Sequence, residues 1–195
     1  MRASISRSLP AKVLSVVVGF VVSIMLLPAW AGQEFVSSLI VETDPGGGVH
    51  ARAVLNIPSP RAVVEHVLTD YGRWPELFDT KMRMGTIERT PGRDVVEMFI
   101  EHPILPGESR LLSENRREAD GRLATSLLGG DFKRYARTWT LSETADGRVR
   151  AEFTLVMEAK TLAPDWIVAI ALRRELDTHF KKLAARIARD SARRQ

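Results

Sequence analysis

The C-terminal stretch PDWIVAIALRRELDTHFKKLAARIARD, Pro164 to Asp190, decides the fold. At 100° per residue, one broad arc collects its apolar side chains: Trp166, Ala169, Ile170, Leu172, Leu176, Phe180, Leu183, Ala184 and Ile187. The opposite side carries charged residues: Glu175, Lys182, Arg186 and Arg189. The stretch predicts one helix about 40 Å long, and its single apolar face must cover another layer of structure.

That layer is predicted by turn pairs that recur through the middle of the chain: Pro91-Gly92, Pro106-Gly107, Asp120-Gly121, Gly129-Gly130 and Asp146-Gly147. Their spacing leaves about six extended runs, as expected of consecutive antiparallel strands. The last run, RVRAEFTLVMEA, alternates most clearly, with Val149, Ala151, Phe153, Leu155 and Met157 on one face. Residues 34–43 and 49–57, on either side of the turn DPGGG, predict two strands more.

Two short helices are predicted between the early and the later strands. PSPRAVVEHVLTD has an apolar stripe at helical spacing, and RWPELF follows it with a proline near its start. The whole order predicts an α+β fold: a curved antiparallel sheet of about seven strands, two short helices and a long C-terminal helix. Because a sheet of that size curls, a single helix cannot fill its groove, and we expect a cavity between them.

The first 31 residues differ from the rest. Arg2, Arg7 and Lys12 precede the uncharged run VLSVVVGFVVSIMLL. The segment ends at Ala29-Trp30-Ala31, where two small residues lie on either side of a tryptophan. This pattern predicts a secretory signal peptide over residues 1–31, one domain over residues 32–195 and a periplasmic location. An uncleaved membrane anchor is the alternative, although fifteen apolar residues fall short of the ~20 that a membrane span needs.

Composition excludes several classes of function. The chain has 28 basic and 24 acidic residues, and three of the basic ones lie in the first 31, which leaves a net charge of +1 on the remainder. Bulk nucleic-acid binding therefore has little support. With no cysteine and with four histidines at unsuitable spacings, no metal site is expected. No cofactor motif is present.

The elements together resemble the START-like superfamily (SRPBCC, helix-grip), in particular its polyketide cyclase/dehydrase and coenzyme-Q-binding branch. Three stretches carry the resemblance, which covers about Val49 to Ala188: IPSPRAVVEHVLTDYGRWPELF, GGDFKRYARTWTL and LAPDWIVAIALRREL. The resemblance implies a helix-grip fold around a cavity for an apolar or amphipathic molecule. It does not imply chemistry, because most such domains bind or carry, and a fold alone does not decide function.

The turn DYGRWP lies where such a cavity opens. Tyr71 and Trp74 are therefore candidate ligand-binding residues at its rim. The alternative is structural: Asp70 ends one helix, Pro75 begins the next and Trp74 packs in the core. A lone aspartate also lacks the second titrating group that acid–base chemistry normally needs.

Tyr135, Arg137 and Trp139 alternate along one strand and supply three more candidates. If a three-residue loop over residues 145–147 joins this strand to the next, Trp139 lies opposite Phe153, and Arg137 faces the cavity. A two-residue turn would shift the register by one and bring Arg134 inward instead. The odd-numbered face carries the aromatic residues, which favours the first register.

Arg173 falls near the centre of the apolar arc, with Asp177 one turn later. One interpretation is that this pair faces the cavity and meets the polar head of a ligand, with Phe180 as an apolar contact below. The alternative is that Arg173 extends past the edge of the arc and forms only a surface ion pair.

The sequence favours an exported binding or carrier protein for a small apolar or amphipathic ligand: a lipid, a quinone or an isoprenoid. No catalytic residue is assigned. The alternative is an enzyme of the polyketide cyclase/dehydrase type that uses Asp70, Tyr135 or an arginine. The basic end KKLAARIARDSARRQ is a candidate for transient membrane contact, although a solvated helix end is the simpler interpretation.

Overall fold

The structure, a computed structural model, describes residues 35–105 and 107–194. The predicted signal peptide, residues 1–31, lies outside the described residues. The elements are β1 Val36–Thr43, β2 Val49–Ile57, α1 Arg61–Thr69, a 3₁₀ helix Tyr71–Leu77, β3 Lys81–Thr90, β4 Arg93–Glu101, β5 Glu108–Arg117, β6 Leu123–Gly130, β7 Phe132–Glu143, β8 Val149–Ala159 and α2 Asp165–Ala192.

The strands form one curved, open antiparallel sheet in the order β1-β2-β8-β7-β6-β5-β4-β3. Strands β3 to β8 follow one another as a meander, which ends beside β2. The two short helices therefore connect β2, near one edge, to β3 at the far edge. The predicted α+β helix-grip architecture is confirmed, with eight strands where about seven were expected.

Alternation along the strands gives the sheet an apolar concave face. In β2, Val49, Ala51, Ala53, Leu55 and Ile57 are buried, while the residues between them are half-buried or exposed. The β7–β8 hairpin pairs Arg137 with Leu155 and Trp139 with Phe153, so the register expected from a three-residue loop is confirmed. Arg134, on the other face, pairs with Glu158.

Helix α2 covers this concave face through a set of buried residues: Val168, Leu176, His179, Phe180, Leu183, Arg186 and Ile187. Its first turn is joined to the β1–β2 turn, where the backbone N–H of Gly48 donates to Asp165 Oδ2 at 2.9 Å. Among the described helices, none is both long and apolar enough to cross a membrane.

The arc predicted for α2 is wrong in two places. Trp166 and Ile170 are 60% and 50% exposed, because their side of the helix lies beside the edge strand rather than over the sheet. Arg186, expected on the solvent face, is only 2% exposed. The 3₁₀ helix packs against that side of α2 and supplies carboxylates to the guanidinium.

Candidate ligand-binding cavity

An apolar cavity of about 140 Å³ lies between the concave face and α2. Its wall includes residues from the 3₁₀ helix, from strands β3, β4, β5, β7 and β8 and from α2: Trp74, Met82, Met98, Leu111, Phe132, Tyr135, Arg137, Phe153, Leu155, Met157, Leu172, Leu176 and His179. For comparison, an engineered cavity of about 150 Å³ holds benzene. The space therefore suits the apolar part of a small molecule.

Six half-buried residues of the wall lie just before β3, in the loop after β4 and on the first half of α2: Thr80, His102, Ile104, Leu105, Ala171 and Glu175. Two of them, His102 and Glu175, accept hydrogen bonds from nearby backbone N–H groups. Glu175 Oε1 accepts from the N–H groups of Asp79 and Thr80, at 3.1 and 3.3 Å. These contacts hold the loop before β3 against α2.

Three aromatic rings close one end of the cavity. Trp139 and Phe153 have ring centroids 4.8 Å apart, and Phe180 lies 6.0 Å from Trp139 and 5.4 Å from Phe153. Only Phe153 of the three also lines the cavity. Trp139 and Phe180, two predicted ligand-binding residues, are thus packed in the core and do not line this cavity.

The 3₁₀ helix places its two aromatic residues differently. Trp74 is buried and lines the cavity, whereas Tyr71 packs edge-to-face against it at 4.9 Å and lines a neighbouring pocket. Burial raises the pKa of Tyr71 to about 12, so its hydroxyl is protonated at neutral pH. Both residues lie deeper than the rim position that was predicted for them.

Arg137 forms the boundary between the cavity and that neighbouring pocket. Its guanidinium carbon lies 4.2 Å from the centroid of Trp74, and Nη2 donates to Thr125 Oγ1 at 2.9 Å. Thr125 in turn donates to Asn115 Oδ1 at 2.7 Å. We call the neighbouring space, about 130 Å³, the polar pocket; its wall includes Thr69, Tyr71, Asp94, Asn115, Thr125, Arg137 and Trp139.

His179 lines the cavity, although the sequence analysis did not propose it as a ligand-binding residue. Its ring stacks on Phe78 at 4.2 Å, and Nδ1 donates to the carbonyl of Leu77 at 3.1 Å. That bond leaves Nε2 as the acceptor. Burial lowers the pKa of His179 to about 4, so the imidazole is neutral at pH 7. Its spacing, three residues after Leu176 and four before Leu183, is the signal that could have placed it on the buried face.

Two other predicted ligand-binding residues, Tyr135 and Phe153, line the cavity as expected from the register. Arg173 does not. It is exposed, and its Nη1 donates to the carbonyl of Leu39 on the edge strand at 3.0 Å. Asp177 pairs with Lys181 instead. The interpretation that the Arg173–Asp177 pair faces the cavity is therefore wrong, for the same reason that Trp166 is exposed.

Asp70, the acid considered for catalysis, lies outside the cavity wall. Its Oδ2 accepts from Arg186 Nη2 at 2.8 Å, and the same guanidinium contacts Asp190 at 3.0 Å and Glu76 at 3.5 Å. The aspartate thus ties the end of α1 and the 3₁₀ helix to α2. Its role in this arrangement is structural.

An antiparallel sheet that curves around one long helix, with an apolar cavity between them, defines a helix-grip protein. The family model described as polyketide cyclase / dehydrase and lipid transport matches residues 57–182. The chain belongs to that family, within the START-like superfamily. No curated protein sequence matches the chain.

Solved structures with the same fold come from distant relatives. The TTHA0849 protein from Thermus thermophilus has a TM-score of 0.60 and 20% identity, covering 73% of this chain and 99% of that one. The STAR-related lipid transfer protein from Xanthomonas axonopodis has a TM-score of 0.59 and 14% identity, with coverage of 80% and 99%. The Zhui aromatase/cyclase from Streptomyces sp. R1128 has a TM-score of 0.55 and 14% identity, with coverage of 74% and 94%. At such identities the likeness concerns the fold alone.

Proposed function

We propose that this chain is an exported binding or carrier protein for an apolar or amphipathic molecule, such as a lipid, a quinone or an isoprenoid. The single observation that carries the proposal is the apolar cavity between the sheet and α2. Burial of ligand surface there would supply affinity at about 25 cal/mol per Å² removed from water. The name of the family, which includes lipid transport, supports the same class of function.

The polar groups of the cavity wall favour binding over catalysis. His179 is bonded to the carbonyl of Leu77, and Glu175 is bonded to two backbone N–H groups. His102 Nδ1 accepts from the N–H of Ile104 at 3.3 Å. Because these side chains form hydrogen bonds with the protein's own backbone, they help to define the shape of the cavity. This role suits a binding site.

The test of this proposal is ligand retention and its loss when the cavity is filled. Native mass spectrometry of the protein purified from its own compartment should find a co-purifying apolar molecule. Ala171→Trp, which places a large ring in the cavity wall, should abolish both that molecule and Nile red fluorescence. Ala185→Trp, on the exposed side of the same helix, is the matched control and should change neither. Absence of any bound molecule, together with no Nile red binding, would refute the proposal.

A second candidate function is a cyclase of the polyketide type, and the observation in its favour is His179. A neutral imidazole whose Nε2 can accept a proton at the wall of the cavity is in the protonation state that a general base needs, while its lowered pKa makes it a weak base. His179→Asn keeps a donor for the carbonyl of Leu77. An enzyme should then lose conversion of a synthetic poly-β-ketone while still binding it. A carrier should convert the compound in neither form.

Export is proposed from the N-terminal pattern alone. Cleavage after Ala31 would leave Gly32 as the first residue of the mature protein. N-terminal sequencing of the protein from a periplasmic extract should therefore read GQEFV. An intact N-terminus recovered from the membrane fraction would instead support the anchor.

Transient membrane contact through the end of α2 would suit a carrier that unloads its ligand. The support is a group of exposed cations at the C-terminal end of α2: Arg189, Arg193 and Arg194. Such charges attract anionic lipid headgroups. Co-sedimentation with vesicles rich in phosphatidylglycerol, but not with phosphatidylcholine vesicles, is expected. Replacement of the three arginines by glutamine should remove it, and equal binding to both vesicles would argue against this contact.

A further inference from the structure

Arg137 carries a positive charge that the protein leaves without a counter-ion. Six described arginines are shielded at least in part from solvent, and five of them pair with a carboxylate: Arg61, Arg110, Arg134, Arg148 and Arg186. Arg137 is the sixth, and none of the ion pairs within residues 35–105 and 107–194 includes it. Its Nε is also the one buried side-chain nitrogen or oxygen in those ranges without a hydrogen-bond partner.

The position of this charge is fixed from two sides. On the sheet, Arg137 ends a row of polar residues that face one another across four strands in register: Asp94, Asn115, Thr125 and Arg137. On the opposite side, the ring of Trp74 covers the guanidinium at 4.2 Å. A guanidinium held in this way loses little further freedom when it binds a partner.

The same residue lines both spaces, the apolar cavity and the polar pocket. A molecule with an apolar body in the cavity would therefore bring its head group to Arg137. The polar pocket offers hydroxyl and amide groups beside that point, from Tyr71, Thr125 and Asn115. It also contains the carboxylate of Asp94 and three arginines that already have carboxylate partners: Arg93 and Arg116 pair with Glu114, and Arg117 pairs with Glu65.

We propose that the ligand is an amphipathic carboxylic acid whose carboxylate binds Arg137 while its apolar part fills the cavity. This inference rests on the proposed binding function and narrows its ligand class. A carboxylate matches the planar donor pattern of a guanidinium and can accept from two of its N–H groups together.

Three probes with one chain length test the proposal: decanoate, decan-1-ol and decyl phosphate, each measured by displacement of Nile red from the full-length mature protein. Decanoate should bind at least about tenfold more tightly than decan-1-ol, as expected for a charge-assisted bond. Arg137→Met should reduce the ratio of the decanoate and decan-1-ol affinities to less than about twofold. Arg137→Lys should retain part of the preference for decanoate. Arg173→Met, at an exposed arginine on α2, is the control and should leave the preference unchanged.

The outcomes separate this inference from the function on which it rests. Equal binding of decanoate and decan-1-ol by the unaltered protein would overturn the carboxylate assignment and leave the apolar carrier intact. Tighter binding of decyl phosphate than of decanoate would overturn it as well. If none of the probes displaces Nile red, the binding function itself fails. The comparison of decanoate with decan-1-ol uses the unaltered protein. It therefore remains a valid test even if Arg137→Met does not fold.

Discussion

His179 on α2 and Arg137 on β7 both line the cavity, and the guanidinium affects the charge of the imidazole. The guanidinium disfavours a second positive charge beside it, which adds to burial in lowering the pKa of His179 to about 4. In the unfolded chain the histidine titrates near 6.5. Between these two values the unfolded state binds a proton that the folded state does not, so folding stability must fall as the pH falls.

We expect this one histidine to cost about 2 kcal/mol of stability between pH 7.5 and pH 5. Urea unfolding of the native chain and of His179→Asn at both pH values measures it. The native chain should lose more stability on acidification than the variant, because carboxylates titrate in both and cancel in the comparison. Equal losses would show that His179 is solvated rather than buried.

Arg186 is buried although the helical periodicity of α2 predicts that it is exposed. Its angular position on α2 is opposite the apolar arc, and a helix of this composition offers no local reason to bury it. It is buried because the turn that contains Asp70 and the 3₁₀ helix pack against that side of α2, a contact between segments about 110 residues apart. Arg173 is the opposite case, because it was expected to face the cavity and is exposed. The apolar arc of α2 is wider than the part of the helix that the sheet covers.

Replacement of Arg186 by leucine should destabilise the fold by about 3 kcal/mol or more, because Asp70, Asp190 and Glu76 would be left close together without the cation. Arg73→Leu is the matched control. It removes an exposed pair with Glu76 that solvent screens, and should change stability much less than Arg186→Leu. Urea unfolding at neutral pH measures both, and similar values for the two variants would contradict a structural role for the cluster.

At the scale of elements, the strands and helices were largely predictable and the shape of the cavity was not. Period-two alternation in β2 and β8, turn pairs between strands and the length of α2 determined the order of elements, because each signal is local. The register of the β7–β8 hairpin was also predictable, since only one turn length buries Trp139. The polar row from Asp94 to Arg137 was not, because it depends on the registers of three strand pairs at once.

Two adjacent glycines precede the β6–β7 turn, and the backbone requires a glycine at only one of the two positions. Replacing each in turn tests this part of the sheet. Gly130 has φ of 110°, and a Cβ there would lie 2.2 Å from the carbonyl oxygen of Arg110, whereas a Cβ at Gly129 would have nothing within 4 Å. We expect Gly130→Ala to cost about 2–3 kcal/mol and Gly129→Ala to cost less than about 1 kcal/mol. Thermal unfolding of both variants should separate them clearly. Equal effects would mean that the turn relaxes around the new methyl group.

At the scale of the whole molecule, the cavity exists only where three separate parts of the chain meet. The 3₁₀ helix contributes Trp74, the sheet contributes Met98, Leu111 and Leu155, and α2 contributes Leu176. None of these groups is adjacent to another in the sequence. A ligand held by all three parts should therefore bind the folded state alone, and its binding free energy should add to the stability of the fold.

Decanoate at about 100 times its dissociation constant should stabilise the protein by about 2.7 kcal/mol. For a domain of this size that corresponds to a rise in melting temperature of roughly 5–10 °C. Ala171→Trp should lose most of the rise, while Ala185→Trp should keep it. A melting temperature that stays constant while Nile red is displaced would mean that decanoate binds the folded and the unfolded chain equally well, and binding would then not depend on the cavity.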